Sequence, residues 1–373
     1  MTAEHDWVGL AAALAADLTG SGELRDPAWA DAVAATPRHL LVPTAYRQQP
    51  DGSWVAIDTA GPGPAPAYSA TTLVTEVDDR GRAVSSSTKP DLMVRMLELL
   101  DVRDGHRVLE IGTGTGYNAA LLSHRLGADR VFSLDVDAKL VAHARERLAA
   151  IGHRPRLAAR DGIAGWPAHG PYDRIIATCS VPRIPWAWAE QTAPDGAVLA
   201  DLKVGPGAGN LVLLHRHGDR LEGRFASRWA AFMTMRHHTD DGPPVRGPKA
   251  APGPQRDTTA PAQPWNTHRE VWLLACLTLP PDVRYGYTLD QTTRAPKATT
   301  LSAPDGSWCE VDLTSDGTPA RVREGGPTPL WTRVERAWDA WTGWGEPGWG
   351  RFGLTVTPDT HALWLDEPGD VIG

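Results

Sequence analysis

Cysteine is scarce in this chain. Cys179, Cys276 and Cys309 stand far apart and are odd in number, so neither a disulfide framework nor a zinc cluster is expected. A basic excess is also missing: 45 acidic residues outnumber 37 lysines and arginines, for a net charge of −8 and a pI near 5.9. Nothing is left over to neutralise a phosphate backbone, which argues against a nucleic-acid partner. Long apolar runs are lacking too, so no membrane span is expected, and the early acidic residues of MTAEHDWVGLAAALAADLTGSG do not read as a signal peptide. These deficits predict a soluble cytoplasmic protein whose substrates are peptides or small molecules.

At 373 residues the chain has length for about two domains. Residues 240–264 are crowded with Pro and Gly and poor in large apolar side chains, which is linker composition. Before that linker, strand-like runs (RVLEIG, RVFSLDV, RPRLAAR, YDRIIATC, GAVLADLKV, NLVLLHRH) alternate with amphipathic segments such as KLVAHARERLAAIG. The alternation predicts an α/β, Rossmann-like doubly wound parallel sheet over residues 108–239, with an N-terminal subdomain over 1–107. Residues 265–373 read as a C-terminal α+β extension. In it Leu330, Val334, Trp338 and Trp341 share a helical face, and RFGLTVT and HALWLD flank a turn at Pro358-Asp359. The 16 tryptophans invite a stacking surface, but those at helical spacing read as core, and DGSW at 51–54 and 305–308 reads as a turn opening a strand.

The stretch VLEIGTGTGYN (108–118) is a strand running into Gly112, Gly114 and Gly116 and then into an apolar helix. Such a turn offers bare backbone N–H groups and a positive helix end to a ligand. The spacing is G-x-G-x-G, not the dinucleotide pattern G-x-G-x-x-G. Glu110 then bears on the choice of ligand: at the strand's carboxyl end an acid repels a pyrophosphate and attracts an ammonium group. S-adenosylmethionine has an ammonium and a sulfonium and no phosphate, so it is favoured over NAD. Asp135 closes the next strand-like run, where an acid accepts hydrogen bonds from ribose hydroxyls in either cofactor class. Asp161-Gly162 suits an adenine-edge contact, or an ordinary turn.

With PRHLLVP, the AYS of 67–69, the hydroxyl-rich loop closing in TKP, RDGIAGW and YDRIIATCSVPRIP, these motifs resemble the protein-L-isoaspartate O-methyltransferases over about residues 25–237. The resemblance implies a class I SAM-dependent methyltransferase fold. It places the family's active-site serine at Thr88, beside Ser87. It implies cofactor contacts at Ser86, Glu110, Gly112, Thr113, Gly114, Gly116, Tyr117, Asp135, Val136, Asp161 and Gly162, and substrate contacts at Tyr68 and Arg183. Lys89 and Thr88 depart from the usual S-Q-P or S-A-P. The triple serine at 85–87, ATCSVPRIPWAW and the Trp-rich extension look like a specialised branch, the methyltransferases that accompany ATP-grasp ligases in graspetide biosynthesis. That likeness implies an aspartate in a cross-linked precursor peptide as substrate, an ester able to close to an aspartimide, and an ATP-grasp ligase as functional partner. General isoaspartyl repair, and a non-catalytic peptide-binding scaffold, are the alternatives.

Aspartate chemistry suits such a site. An ordinary aspartate, with a pKa near ~3.9, is already ionised at neutral pH and needs no general base before attacking a sulfonium methyl. Positioning is what the protein must supply, and a hydroxyl at Thr88 or Ser87 can donate to one carboxylate oxygen. Thr88 also has a plainer reading as a helix cap before Pro90. Arg183 can clamp a carboxylate or be a surface arginine, and Lys89 can pair with a substrate acid or be solvated. Cys179 reads as a small core residue. His237, His238, Asp240 and Asp241 lack a metal-ligand pattern and read as a solvated domain end.

Overall fold

The computed structural model describes residues 6–61, 63–237, 254–314 and 320–372. The front region opens with helices α1 (Asp6–Gly20), α2 (Pro27–Ala35) and the short α3 (Arg38–Leu41). Asp26 caps α2 by accepting from the Ala28 N–H, with Pro27 in the first turn, where a missing N–H costs nothing. Strands β1 (Thr44–Gln48), β2 (Trp54–Asp58), β3 (Leu73–Val77) and β4 (Ala83–Ser87) form an antiparallel sheet in the order β2-β1-β3-β4. The hydroxyl-rich loop begins as β4 and runs through Thr88 and Lys89 into α4 (Pro90–Leu99).

The six expected strand-like runs become β5 (Val108–Ile111), β6 (Val131–Asp135), β7 (Arg156–Ala159), β8 (Tyr172–Val181), β9 (Thr192–Gly205) and β10 (Ala208–His217). They alternate with α5 (Tyr117–Leu126), α6 (Ala138–Ala150) and α7 (Trp186–Gln191), and β11 (Arg220–Phe225) follows. Strands β7, β6, β5, β8 and β9 pair in parallel in that order. The chain first winds outward from β5 on one side and then returns to lay β8 on the other. The crevice between these two directions of winding opens at the carboxyl end of β5, the place where open α/β sheets bind ligands.

Beyond β9 the sheet turns antiparallel, because two-residue links cannot make a crossover. Pro206-Gly207 joins β9 to β10 and Gly218-Asp219 joins β10 to β11, with φ of +70° at Gly207 and +62° at Gly218.

Past residue 253 come β12 (Arg256–Thr258), α8 (Pro264–Thr267), α9 (Arg269–Cys276), β13 (Arg284–Leu289), β14 (Pro296–Ser302), β15 (Trp308–Asp312), β16 (Ala320–Gly325) and α10 (Leu330–Gly343). The five strands form a second antiparallel sheet, β12-β16-β15-β14-β13. Residues 256–258, within the expected linker, are therefore a sheet edge. The expected hairpin forms as β17 (Phe352–Val356) and β18 (His361–Leu365), but it joins the central sheet: β17 pairs with β11. The reason is geometric, since β11 is otherwise an open edge with unpaired backbone groups.

Two apolar cores lie on opposite faces of the central sheet. One is shared with α1, α2, α4, α5 and α6; the other runs from Phe132, Leu134 and Trp188 to Trp272, Trp331, Trp341 and Phe352. Trp188, Trp272 and Trp331 are fully buried, as core placement of the tryptophans requires. Among the described residues no helix is long and apolar enough to cross a membrane.

Because the C-terminal region shares a core with the central sheet, the two should unfold together. Phe352→Ala, at a fully buried position, should lower stability by about 3–5 kcal/mol while leaving a single denaturant transition. Two separated transitions, with only one of them moved, would show that the regions fold independently.

Candidate active site

The glycine turn works because its glycines occupy conformations that side chains resist. Gly112, Gly114 and Gly116 have φ of +100°, +50° and +87°. A Cβ on Gly112 would stand 2.6 Å from Thr178 Oγ1, and one on Gly116 would press on Leu148 at 3.2 Å. Thr178 Oγ1 donates to Gly112 O at 2.7 Å, and Thr113 Oγ1 pairs with Ser133 Oγ at 2.6 Å. Asp135 secures the turn from the next strand: its Oδ2 accepts from Gly114 N–H at 2.9 Å and its Oδ1 from Asp137 N–H at 3.1 Å.

Around this turn lies a cleft. Of the residues expected at the site, Ser86, Ser87, Thr88, Glu110, Gly112, Thr113, Gly114, Tyr117, Asp135, Val136 and Gly162 line it. Gly116, Asp161, Tyr68 and Arg183 do not. Gly116 stands behind the wall as the N-cap of α5. Asp161 holds the neighbouring turn by accepting from Ile163 N–H at 3.0 Å, and it pairs with His237 Nδ1 at 2.9 Å. Tyr68 is buried, with its hydroxyl 2.7 Å from His39 Nδ1. Arg183 is exposed and sits near His361, whose pKa is pushed down to about 4 by burial and by that guanidinium. Of His237, His238, Asp240 and Asp241, the last three lie outside the described residues.

Glu110 is the electrostatic centre. It has no exposed surface, and its carboxylate accepts from Asn118 Nδ2 at 2.8 Å and Ser133 Oγ at 2.5 Å. Burial raises its pKa from 4.5 to about 7, against the lowering effect of those two hydrogen bonds, and the nearby Asp135 raises it further. Among the described residues no cationic side chain pairs with it. Asp135 is also raised, first by burial. Asn118 adds a second unmet demand: its amide N–H faces the Glu110 carboxylate, which leaves Oδ1 buried and without a donor. The only cationic side chain among the described lining residues is Arg236, 38% exposed and drawn toward Asp137 at 3.8 Å.

The site thus has buried acceptors and an uncompensated acid, which fits a ligand bearing donors and positive charge. S-adenosylmethionine has both, and Glu110, Asn118, Asp135 and the glycine turn are the residues that would hold it.

Sequence reasoning did not find Asn118, Met93, Thr178 or residues 233–236, all of which line the cleft. Asn118 was readable as a lone amide opening the apolar run of α5. The segment 230–236 carried no local signal. It is tied across the strand ends by long-range bonds: Ala230 N–H to Asn210 Oδ1 at 2.9 Å, Phe232 N–H to Asp201 Oδ2 at 2.8 Å, and reciprocal bonds of 2.8 Å between Ser180 and residues 233 and 235. Cys179, expected in the core, packs on it and also lines the cleft, with its thiol pKa pushed up by burial. The cap expected at Thr88 is not formed: Lys89 occupies the cap position of α4 and no side chain caps it. Lys89 itself pairs with Asp91 at 2.8 Å.

Residues 11–225 match the family described as protein-L-isoaspartate(D-aspartate) O-methyltransferase. A protein-L-isoaspartate O-methyltransferase from Methylorubrum extorquens (strain PA1) is 37% identical over 203 residues, spanning 54% of this chain and 77% of that one. Another, from Anaeromyxobacter sp. (strain Fw109-5), is 36% identical over 186 residues, 49% of this chain and 76% of the other. A solved structure named protein-L-isoaspartate O-methyltransferase aligns with 95% of this chain and 99% of its own, with a TM-score of 0.56 at 20% identity. The fold is that of a class I SAM-dependent methyltransferase with an additional C-terminal region.

A raised carboxyl pKa has a definite sign in stability. Between the unfolded value near 4.5 and the folded value near 7, the folded state holds the Glu110 proton and the unfolded state does not, so stability falls as pH rises across that window. The full effect is about 3 kcal/mol. In denaturant titrations of the unliganded protein at pH 5, 6, 7 and 8, the stability of wild type relative to Glu110→Gln should show this decline, since the comparison cancels opposing contributions such as that of His361, whose lowered pKa makes stability rise with pH toward 6.5. A difference between wild type and variant that does not change with pH would mean that Glu110 titrates normally.

Proposed function

We propose, from the premise that this chain belongs to the protein-L-isoaspartate(D-aspartate) O-methyltransferase family, that it esterifies the free carboxyl group of isoaspartyl residues in proteins or peptides. S-adenosylmethionine is the cofactor; when bound, it supplies a methyl group on a sulfonium, a leaving group that departs as a neutral thioether. The observation carrying this reading is the buried Glu110 carboxylate, without a cation among the described residues and beside the orphaned Asn118 Oδ1, at the end of β5.

The chain's own work is placement. Glu110, Asn118 and Asp135 give the cleft an acidic, acceptor-rich floor that favours a cationic donor and disfavours a phosphorylated one. Across the cleft stands the hydroxyl loop: a Cβ on Gly114 would come within 3.8 Å of Ser86 O. Ser87 and Thr88 line the cleft from that loop, and Thr88 Oγ1 makes no hydrogen bond among the described residues. A hydroxyl there can donate to one oxygen of an ionised carboxylate and leave the other free to react, with no proton to remove first. Met93, Met233 and Met235 supply soft walls able to adjust to varied neighbouring side chains.

The finer reading, an aspartate of a cross-linked ribosomal peptide made by an ATP-grasp ligase, draws support from the loop Ser85–Lys89, where threonine and lysine replace the family's usual residues. The C-terminal region lends it less support than its size implied, because a family structure aligns with 95% of this chain. We therefore favour isoaspartyl peptides.

The two substrates separate cleanly in one assay. Incubated with S-adenosylmethionine, an isoaspartyl peptide should gain a methyl group, about 14 Da by mass spectrometry, while the matched aspartyl peptide should not. Methylation confined to a cross-linked precursor peptide would overturn the isoaspartyl reading in favour of peptide maturation.

A further inference from the structure

Arg38 is a buried charge close behind the site and, unlike Glu110, Asp135 and Asp201, it is a cation. It has no exposed surface, and its four hydrogen bonds among the described residues go to uncharged acceptors. Nη1 donates to Ala67 O at 2.6 Å and Ser69 O at 3.3 Å, and Nη2 donates to Ser87 Oγ at 3.1 Å and Thr88 O at 3.1 Å. The guanidinium lies 5.0 Å from the centre of the Tyr117 ring, and Nε is buried without a partner. Among the described residues no carboxylate pairs with it. An arginine buried without an acid is costly, and its charge persists because guanidinium does not give up its proton in proteins. Ser87, Thr88 and Tyr117 all line the cleft, so the charge sits one layer behind the wall.

Ser87 has one proton and two lone pairs. Arg38 is a donor only, so it occupies a lone pair of Ser87 Oγ, and the Ser87 proton must point elsewhere. Among the described residues that proton has no acceptor, and Ser87, 3% exposed, is one of the residues that line the cleft. We infer that Arg38 is a positioning residue that fixes Ser87 as a hydrogen-bond donor toward the substrate carboxylate, and that its buried charge makes this subsite select a carboxylate over a carboxamide. Ser87, not Thr88 alone, is then the polarised donor of the loop. Hydrogen bonds in series strengthen one another, and a cation at the head of the series strengthens the donor at its end. The inference rests on the isoaspartyl reading of this same site.

A double-mutant cycle tests it. Arg38→Gln and Ser87→Ala should each lower kcat/KM for an isoaspartyl peptide by about tenfold or more. The double variant should be within about threefold of the worse single one, because both break one chain of bonds. Affinity for S-adenosylhomocysteine should stay within about threefold of wild type throughout, and Arg38→Lys should recover part of the loss. Losses that multiply in the double variant would overturn the coupling.

Should Arg38→Gln fail to fold, Ser87→Ala alone still decides. Wild type should bind the isoaspartyl peptide at least about tenfold more tightly than its isoasparaginyl analogue, and Ser87→Ala should erase most of that preference; a preserved preference overturns the proposal. A wild-type protein that methylates no isoaspartyl peptide brings down the substrate reading and this inference together. One that does so, with multiplicative variants, brings down this inference alone.

Discussion

A carboxylate buried at the end of a parallel strand, with hydrogen bonds but no cation among the described residues, is the constraint around which the functional part of this molecule is arranged. Among the described residues the Glu110 carboxylate meets only Ser133 and Asn118, and burial raises its pKa to about 7. Such a group is costly in the unliganded protein, because ionising it in a low-dielectric site is opposed and protonating it is opposed by the donors that face it. A cation brought into the cleft removes that conflict. Destabilisation of the empty site and affinity for a positively charged ligand are therefore two aspects of one arrangement. The sheet topology puts that arrangement where a ligand can reach it: β5 lies between the two directions of winding, and the glycine turn clears the space above its end.

The cleft is polar in a directed sense. Its floor carries Glu110 and Asp135, and its hydroxyl wall has Arg38 behind it. A methyl donor with positive charge and an acceptor with negative charge would each find the opposite sign on its own side. The central sheet and its loops are braced from far along the chain. Trp188 Nε1 donates to Gly162 O at 2.8 Å, and Trp272 Nε1 donates to Pro206 O at 2.8 Å beside the central sheet. Arg269 stacks on Trp229 at 3.8 Å, just before the segment that closes over the strand ends. The C-terminal region is thus joined to the sheet that carries the site by a shared core and by the β11–β17 pairing.

What could be read from the sequence was local. Strand periodicity located β5 to β10, and the glycine spacing with Glu110 and Asp135 located the cofactor floor, because these features depend on residues adjacent in the chain. Features set by distant pairing were hidden. The hairpin Phe352–Leu365 was legible as a hairpin, yet its place on β11 depends on which edge the rest of the fold leaves open. Residues 233–236 reach the cleft only because Asn210, Asp201 and Ser180 hold their backbone. Thr88 read as a cap from its place before Pro90, but the chain turns one residue later and Arg38 takes its carbonyl instead. Arg38 itself lay in plain view in PRHLLVP, and no pattern in the sequence says that a surface-prone residue type will be buried without an acid.

Proton release on cofactor binding tests the central claim most directly. Calorimetric titration of S-adenosylmethionine should be run from pH 5.5 to 8 in buffers of different ionisation enthalpy. If Glu110 must ionise to meet the cation, affinity should rise by up to about tenfold per pH unit below its pKa and level off above it, with up to about one proton released per ligand at low pH. Affinity independent of pH with no proton exchanged, or equal binding of NAD, would contradict a cleft built around a buried acid awaiting a positive charge.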